Sequence, residues 1–464
     1  MSVTPELLVA PLHELSNLLD KGEITSEELV RATIERTEAL ESELNSYITF
    51  LPERALEASR RRDEERRRGE SKGPLHGIPI SLKDVFDTAG IATTAGAGFL
   101  RNHEPTTDAE VTRRLAEAGT ILMGKANLNK FAGGESGENP DFGNMQNPWN
   151  RNYSPSGSSG GSATQVATGL AALSVGSDNG GSVRNPASVC NVVGLKPTHG
   201  RISTEGMFPR AYSIDHAGPL TRTVKDAAIV LRVLAGHRDG DTTTSRREVP
   251  DYEAELDGPV QGTKLGIDRE LTRVAEPAVT RVFERALTKL EEIGCEIVEL
   301  SLPTPEEMTE AMYLIFLCEW GAGHEPWMRE RPEEYDGGAR GALLIPAVDY
   351  LKAQRERRTF QVRAAQAMKG VDLLVSPTYP IVQRSHRGLP AIGGRRLDTM
   401  DVLRFTMPYD LLGLPAVSLP GGFAKDDAPV GIQIAGRAFQ EARVLRTAYA
   451  YEQATQWHLR HPDI

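Results

Sequence analysis

The chain has 464 residues, of which 39% are hydrophobic, 25% charged and 6% aromatic, a composition that excludes disordered and fibrous classes. Its net charge of −11 offers no basic face to a phosphate backbone, so nucleic-acid binding is disfavoured. Cys190, Cys295 and Cys318 are an odd number without CxxC spacing, which argues against a disulfide framework or a zinc site and fits a reducing, cytoplasmic setting.

The N-terminus carries Glu6 where a signal peptide needs Lys or Arg, and no apolar run approaches the roughly 18 residues of a membrane span. Residues 1–70 read as a helical segment, in which Thr25 followed by Glu28 resembles a capping box. The arginine-rich stretch Arg60–Arg68 is interleaved with Asp63, Glu64 and Glu65 and reads as a solvated helix face. An apolar run from Ile78 to Leu82, bounded by Gly and Pro, predicts a strand ending at Lys83. Ile121–Met123 predicts a second strand after a helical VTRRLAEAG, giving the βα alternation of a helix-covered, mostly parallel sheet.

Residues 131–200 change character. Gly, Ser, Asn and Pro dominate, yet the apolar runs Leu170–Val175 and Val192–Leu195 interrupt them, which a linker would lack. Beyond residue 220 the alternation resumes: TVKDAAIVLRVLAG and EPAVTRVFERALTKLEEIG predict helices, and KLGI, CEIVEL, DLLVS and VGIQIAG predict strands. The polar stretch Asp239–Pro250 is the best linker candidate and is too short to separate domains, so residues 1–464 are expected to form one unit.

The strongest local signal is Asp178-Asn179-Gly180-Gly181-Ser182-Val183-Arg184. Two glycines ahead of a serine allow consecutive N–H groups to converge on one point, as an oxyanion in acyl transfer requires. The same heptapeptide also reads as a glycine-rich turn with an incidental serine, and the local residues do not choose between the two. Upstream, Ser156-Gly157-Ser158-Ser159-Gly160-Gly161 satisfies G-x-S-x-G, but a nucleophile elbow needs a strand before it and NPWNRNYSP is none. Gly119 to Lys125 resembles a phosphate-binding loop, but its middle is a strand and Ala126 replaces the magnesium-holding hydroxyl. No histidines show H-E-x-x-H spacing, so neither a metal nor another cofactor is expected. A serine without a nearby histidine can be activated by a neutral lysine, and Lys83, its stem buried at a strand end, is the candidate. A lysine emerging from a sheet end to solvent is the commoner fate.

The segments LKD, GSSGG and DNGGSVRNPA, in this order, resemble the amidase signature family of Ser–Ser–Lys hydrolases. GPLHGIPISLKDVFDTAG, GTILMGKANLNKFA, VGLKPTHGRIS, DHAGPLTRTVKDAA, LLGLPAVSLPGGF and PVGIQIAGRAFQEARVL extend the resemblance over most of the chain. It implies an α/β fold, an α/β/α sandwich around a mixed, twisted central sheet, with a signature core over 75–240. It makes Ser182 the nucleophile, Ser158 a bridging serine in a cis peptide, and Lys83 the base. The backbone N–H groups of Asn179, Gly180, Gly181 and Ser182 become the oxyanion hole, with Ser159, Asp178 and Arg184 supporting the loop. Gly133 and Gly134 fall where backbone lines the acyl pocket.

Departures from the family pattern are Ser156, where Gly is frequent, Asn129-Lys130 in place of an acidic pair, and Asp410, where Asn is usual. Leu403 stands where the glutaminase component of a tRNA-dependent amidotransferase would present an acid to the glutamine α-amine, which counts against that alternative. The expected activity is therefore hydrolysis of an amide or carbamate C–N bond, as in amidases and urethanases, through an acyl- or carbamoyl-serine. The partner is a small-molecule substrate, with no nucleic acid and no membrane; many members of the family are dimers, so a homodimer is possible. Residues 300–400 are the expected variable substrate-pocket segment. There Tyr313, Phe316, Trp320, Trp327, Tyr335 and Tyr379, with Leu343, Leu344 and Ile345, read equally as pocket or core. Gly337, Gly338, Gly341, Gly393 and Gly394 would give a flexible entrance for aryl or extended substrates.

Overall fold

Thr25 and Glu28 form the reciprocal cap that their spacing predicts. Thr25 Oγ1 accepts from the Glu28 N–H at 3.1 Å and Glu28 Oε2 accepts from the Thr25 N–H at 2.8 Å, opening the helix Ser26–Leu44. The computed structural model describes residues 3–386, 388–392 and 394–464; Gly393 lies outside the described residues. The N-terminal segment requires one correction. Between the helices Ser26–Leu44 and Pro52–Arg67 lies a strand, Tyr47–Phe50 (β1), whose aromatic and β-branched residues YITF suit a pleated edge better than a helix.

The remaining strands are Pro79–Lys83 (β2), Ile121–Ala126 (β3), Leu173–Asp178 (β4), Val193–Lys196 (β5), His216–Thr221 (β6), Lys264–Ile267 (β7), Glu296–Glu299 (β8), Leu373–Pro377 (β9), Ala391–Ile392 (β10), Arg395–Arg396 (β11), Ala416–Phe423 (β12) and Pro429–Ala435 (β13). Among the described residues, all but the small β10–β11 hairpin join one 11-stranded sheet in the order β1-β3-β2-β4-β6-β5-β12-β13-β9-β7-β8. The sheet is mixed: β3, β2 and β4 run parallel, β6, β5, β12 and β13 continue antiparallel, and β9, β7 and β8 are parallel again. Helices cover both faces, giving the expected α/β/α layering.

Such double cover explains the sequence pattern. Every residue of β2, β4, β5, β6, β9 and β13 is buried, so these strands read as continuous runs rather than alternations. Leu82, Val175, Leu195, Val417 and Ile432 belong to one apolar core spanning the sheet. Two parallel neighbours, β2 and β4, align Leu82 with Val175, so their C-terminal ends deliver Lys83 and the loop after Asp178 to the same edge. The mouth of a parallel sheet at its strand C-termini is the usual place for a site. No helix among the described residues is long and apolar enough to cross a membrane.

Candidate active site

Lys83 is fully buried at the end of β2. Its Nζ donates to Ser158 Oγ at 2.6 Å and to Ser177 Oγ at 2.9 Å. Burial penalises the ammonium and brings its pKa down to about 7, against the opposing pull of the Asp178 carboxylate. At neutral pH a substantial fraction is thus a free amine. Ser158 follows a cis Gly157–Ser158 peptide and precedes the helix Gly160–Thr168. Ser159 laces this segment to the serine loop: its N–H donates to the Ser182 carbonyl at 3.1 Å and its hydroxyl to the Ser177 carbonyl at 3.3 Å.

The loop Asp178–Arg184 is held from beneath by an ion cluster without solvent contact. Arg184 Nε and Nη2 each lie 3.0 Å from an oxygen of Asp178, a bidentate pairing. Nη2 also donates to Asp410 Oδ2 at 2.6 Å, and Nη1 to Gln433 Oε1 at 2.7 Å and the Thr406 carbonyl at 3.0 Å. Burial alone would raise the Asp178 pKa, but the Arg184 guanidinium holds it well below the usual carboxylate range. Burial and the neighbouring Asp178 charge push Asp410 well above that range. Gly181 takes φ +130°, and a Cβ there would collide with the Thr406 hydroxyl, so only glycine fits.

The four expected oxyanion donors do not act alike. Gly181 donates its N–H to Asp178 Oδ1 at 2.6 Å and Gly180 to the same oxygen at 3.3 Å, so both face the ion cluster. Among the described residues, the N–H groups of Asn179 and Ser182 have no partner and remain available for an oxyanion. The Ser182 hydroxyl likewise makes no hydrogen bond there and faces a cavity of about 600 Å³.

That cavity is bordered by Gly133, Gly134, Asn179, Gly180 and Ser182, and by an aromatic wall of Phe131, Tyr313, Phe316, Trp320 and Tyr335. Met312, Met400, Leu403 and Met407 add apolar surface, and Gly338 also borders it. Other candidates for the pocket lie elsewhere. Trp327 stacks on Phe208 at 5.1 Å, Tyr379 is buried with its hydroxyl donating to Glu135 at 2.6 Å, Leu344 is 84% exposed, and neither Leu343 nor Ile345 borders the cavity. Sequence reasoning missed Ser177, Arg210, Asp215 and Thr406. Asp215 Oδ1 accepts from the Asn179 side chain at 3.0 Å, and the Thr406 hydroxyl donates to the Gly180 carbonyl at 2.7 Å. Only Ser177, one position before the DNGGS motif, carried a local signal.

A buried lysine hydrogen-bonded to Ser158, with Ser182 on a glycine loop that borders a cavity, is a set of groups suited to acyl transfer. Residues 28–445 match the family model described as Amidase, and the chain belongs to that family, whose enzymes act on C–N bonds. It is 40% identical to a glutamyl-tRNA(Gln) amidotransferase subunit of Moorella thermoacetica, over 99% of each chain. Among solved structures it resembles native peptide amidase from Stenotrophomonas maltophilia, with a TM-score of 0.86, 32% identity and 98% of each chain covered. It also resembles the corresponding glutamyl-tRNA(Gln) amidotransferase subunit of Thermotoga maritima, with a TM-score of 0.78 and 33% identity, covering 92% of this chain and 91% of that one.

Proposed function

We propose that the chain is a free-standing amidase or carbamate hydrolase acting in the cytoplasm on aryl or extended substrates. The observation that carries this reading is the aromatic-walled cavity with Ser182 at its surface, which suits an apolar body better than a small hydrophilic amide. Neutral Lys83 takes a proton from Ser158, which takes one from Ser182 as that hydroxyl attacks the carbonyl carbon. Charge developing on the carbonyl oxygen is met by the N–H groups of Asn179 and Ser182, each donor of this kind being worth roughly 3–4 kcal/mol. The relay reverses to protonate the leaving nitrogen, the C–N bond breaks, and water hydrolyses the acyl- or carbamoyl-serine. Purified chain, without metal or ATP, is expected to cleave members of a panel of p-nitroanilides and aryl carbamates. Ser182→Ala should abolish turnover and covalent labelling by a fluorophosphonate probe, and Lys83→Ala should lose most turnover. A Lys83→Ala variant near wild type would discard the mechanism.

The similarity to amidotransferase subunits favours a second reading, a glutaminase component that works with partner chains. Leu403, on the cavity wall 3.7 Å from where a Cβ on Gly180 would sit, places an apolar group beside the serine loop rather than an acid for an α-ammonium. Glutamine hydrolysis by the lone chain and with the partner chains of such a complex separates the two. Turnover of glutamine only in the complex, with no anilide or carbamate cleaved alone, would select the second.

A further inference from the structure

Arg210 lies in the wall of the same cavity and is 8% exposed. Its guanidinium carbon is 4.4 Å from the centroid of the Phe316 ring and 4.3 Å from that of Trp320. Both Nη atoms abut Gly133, where a Cβ would come within 3.0 Å of each, so the glycine makes room for the fork. Of the five N–H donors, the one used is on Nη1, which donates to the Phe131 carbonyl at 3.1 Å. Nε is buried without a partner, and among the described residues Nη2 makes no hydrogen bond and no carboxylate lies within 4.0 Å of the guanidinium.

The two carboxylates whose charge reaches it are occupied elsewhere. Asp215 Oδ2 accepts from the backbone N–H groups of Arg210 and Ala211 at 3.0 and 2.9 Å, and its Oδ1 holds Asn179. Asp336 caps the short helix Gly337–Gly341 through the Ala339 N–H at 2.7 Å. Burial brings the Arg210 pKa down to about 10, which leaves it charged at neutral pH. A buried cation is ordinarily paired, because removal from water is costly and a partner offsets it. The aromatic faces supply part of the compensation and fix the plane of the fork. Its unused donors match the two oxygens of a carboxylate.

We infer that Arg210 anchors a carboxylate of the substrate, so that the preferred amides or carbamates are anions carrying a free carboxylate besides the scissile carbonyl. This rests on the hydrolase reading above and adds a charge requirement to its apolar pocket. Asp215 joins the two ends of such a molecule, since it holds both the Arg210 backbone and the Asn179 side chain of the serine loop.

The test compares glutaric acid mono-4-nitroanilide with the 4-nitroanilide of pentanoic acid, which differ in the terminal carboxylate. Wild-type kcat/KM is expected to favour the anion by about thirtyfold or more, the scale of a desolvated charge pair. In R210M this ratio should fall to about one, and in R210K, which keeps the charge without the fork, it should recover in part. An unchanged ratio in a folded R210M, or in R210K should R210M not fold, overturns the anchor. Calorimetric binding of both anilides to S182A and to the S182A/R210M and S182A/R210K double variants keeps the inference separate from turnover. If neither anilide is cleaved by wild type, the hydrolase reading fails on its own. A binding preference for the anion that S182A/R210M loses, or that S182A/R210K reduces where S182A/R210M does not fold, upholds the anchor, and equal affinities for the two anilides overturn it.

Discussion

Lys83 can serve as a base only in its neutral form, and burial brings that form within the physiological range. With its pKa at about 7, the amine is protonated and idle below that value and free above it. kcat/KM should therefore rise with pH through a single ionisation near 7 and level off above it, because neither serine titrates in this range. A profile that is flat from pH 6 to 9, or that falls with rising pH, would remove Lys83 from the role of base. Ser177 supplies a finer check. Its hydroxyl oxygen accepts from Nζ at 2.9 Å, and an acceptor favours the charged amine. Ser177→Ala should accordingly move the rising limb to lower pH, while a shift to higher pH would contradict the assignment.

At the scale of elements, the serine loop is a bridge between β4 and the helix Arg184–Cys190, and Arg184 is the pin through it. Its guanidinium reaches Asp178, Asp410, Gln433 and the Thr406 carbonyl, groups carried by β4, β13 and the helix Met407–Leu412 with its N-cap residue. Arg184→Met would leave Asp178 and Asp410 buried with their shared cation gone. The expected cost is about 3–5 kcal/mol, the usual penalty for removing one partner of a buried ion pair. It would be read as a lower urea midpoint at unchanged m-value, together with loss of turnover. Asp410→Asn keeps a hydrogen-bond acceptor for Nη2 and should cost far less than Arg184→Met. Equal losses for the two variants would show that the second carboxylate, rather than the guanidinium, organises the loop.

The strands that deliver the site were legible for a physical reason. A strand covered on both faces reads as a largely apolar run, as Ile78–Leu82 and Val192–Leu195 do, and the structure has strands there at Pro79–Lys83 and Val193–Lys196. β6 gave no such signal, since His216, Gly218 and Pro219 lower its β propensity and its neighbours β4 and β5 impose the strand. Lys83 and Ser158 meet at 2.6 Å, but their pairing came from the order of motifs and not from spacing. Arg210, Asp215 and Thr406 were not legible because each acts through contacts distant in sequence, which a single chain without its fold does not reveal. The contacts of Gly180 and Gly181 were illegible for a related reason: the Asp178 side chain takes up their N–H groups, and its orientation is set by Arg184.

For the whole molecule, the sheet order brings the two halves of the chain together at the site rather than stacking them as separate bodies. β5, which closes the N-terminal half, pairs with β12 through Gly194–Ser418, Leu195–Val417 and Lys196–Ala416. The polar stretch Asp239–Pro250 therefore joins strands of one sheet, and a cut near residue 258 would divide that sheet between β5 and β12. A fragment spanning residues 1–258 would carry Lys83, Ser158 and Ser182 but lose Thr406, Asp410 and Gln433 from around Arg184. It would also expose β5, a fully buried strand, as an open sheet edge, and such edges pair with other chains. That fragment is expected to aggregate and to be inactive when expressed alone. Residues 259–464 should likewise fail alone, because β12 loses its partner β5, whereas co-expression of both pieces should restore soluble protein with serine-probe labelling at Ser182. The measurement is size-exclusion chromatography followed by labelling of each preparation. A monomeric 1–258 fragment with its own cooperative unfolding transition would show two independent domains and refute a single folding unit.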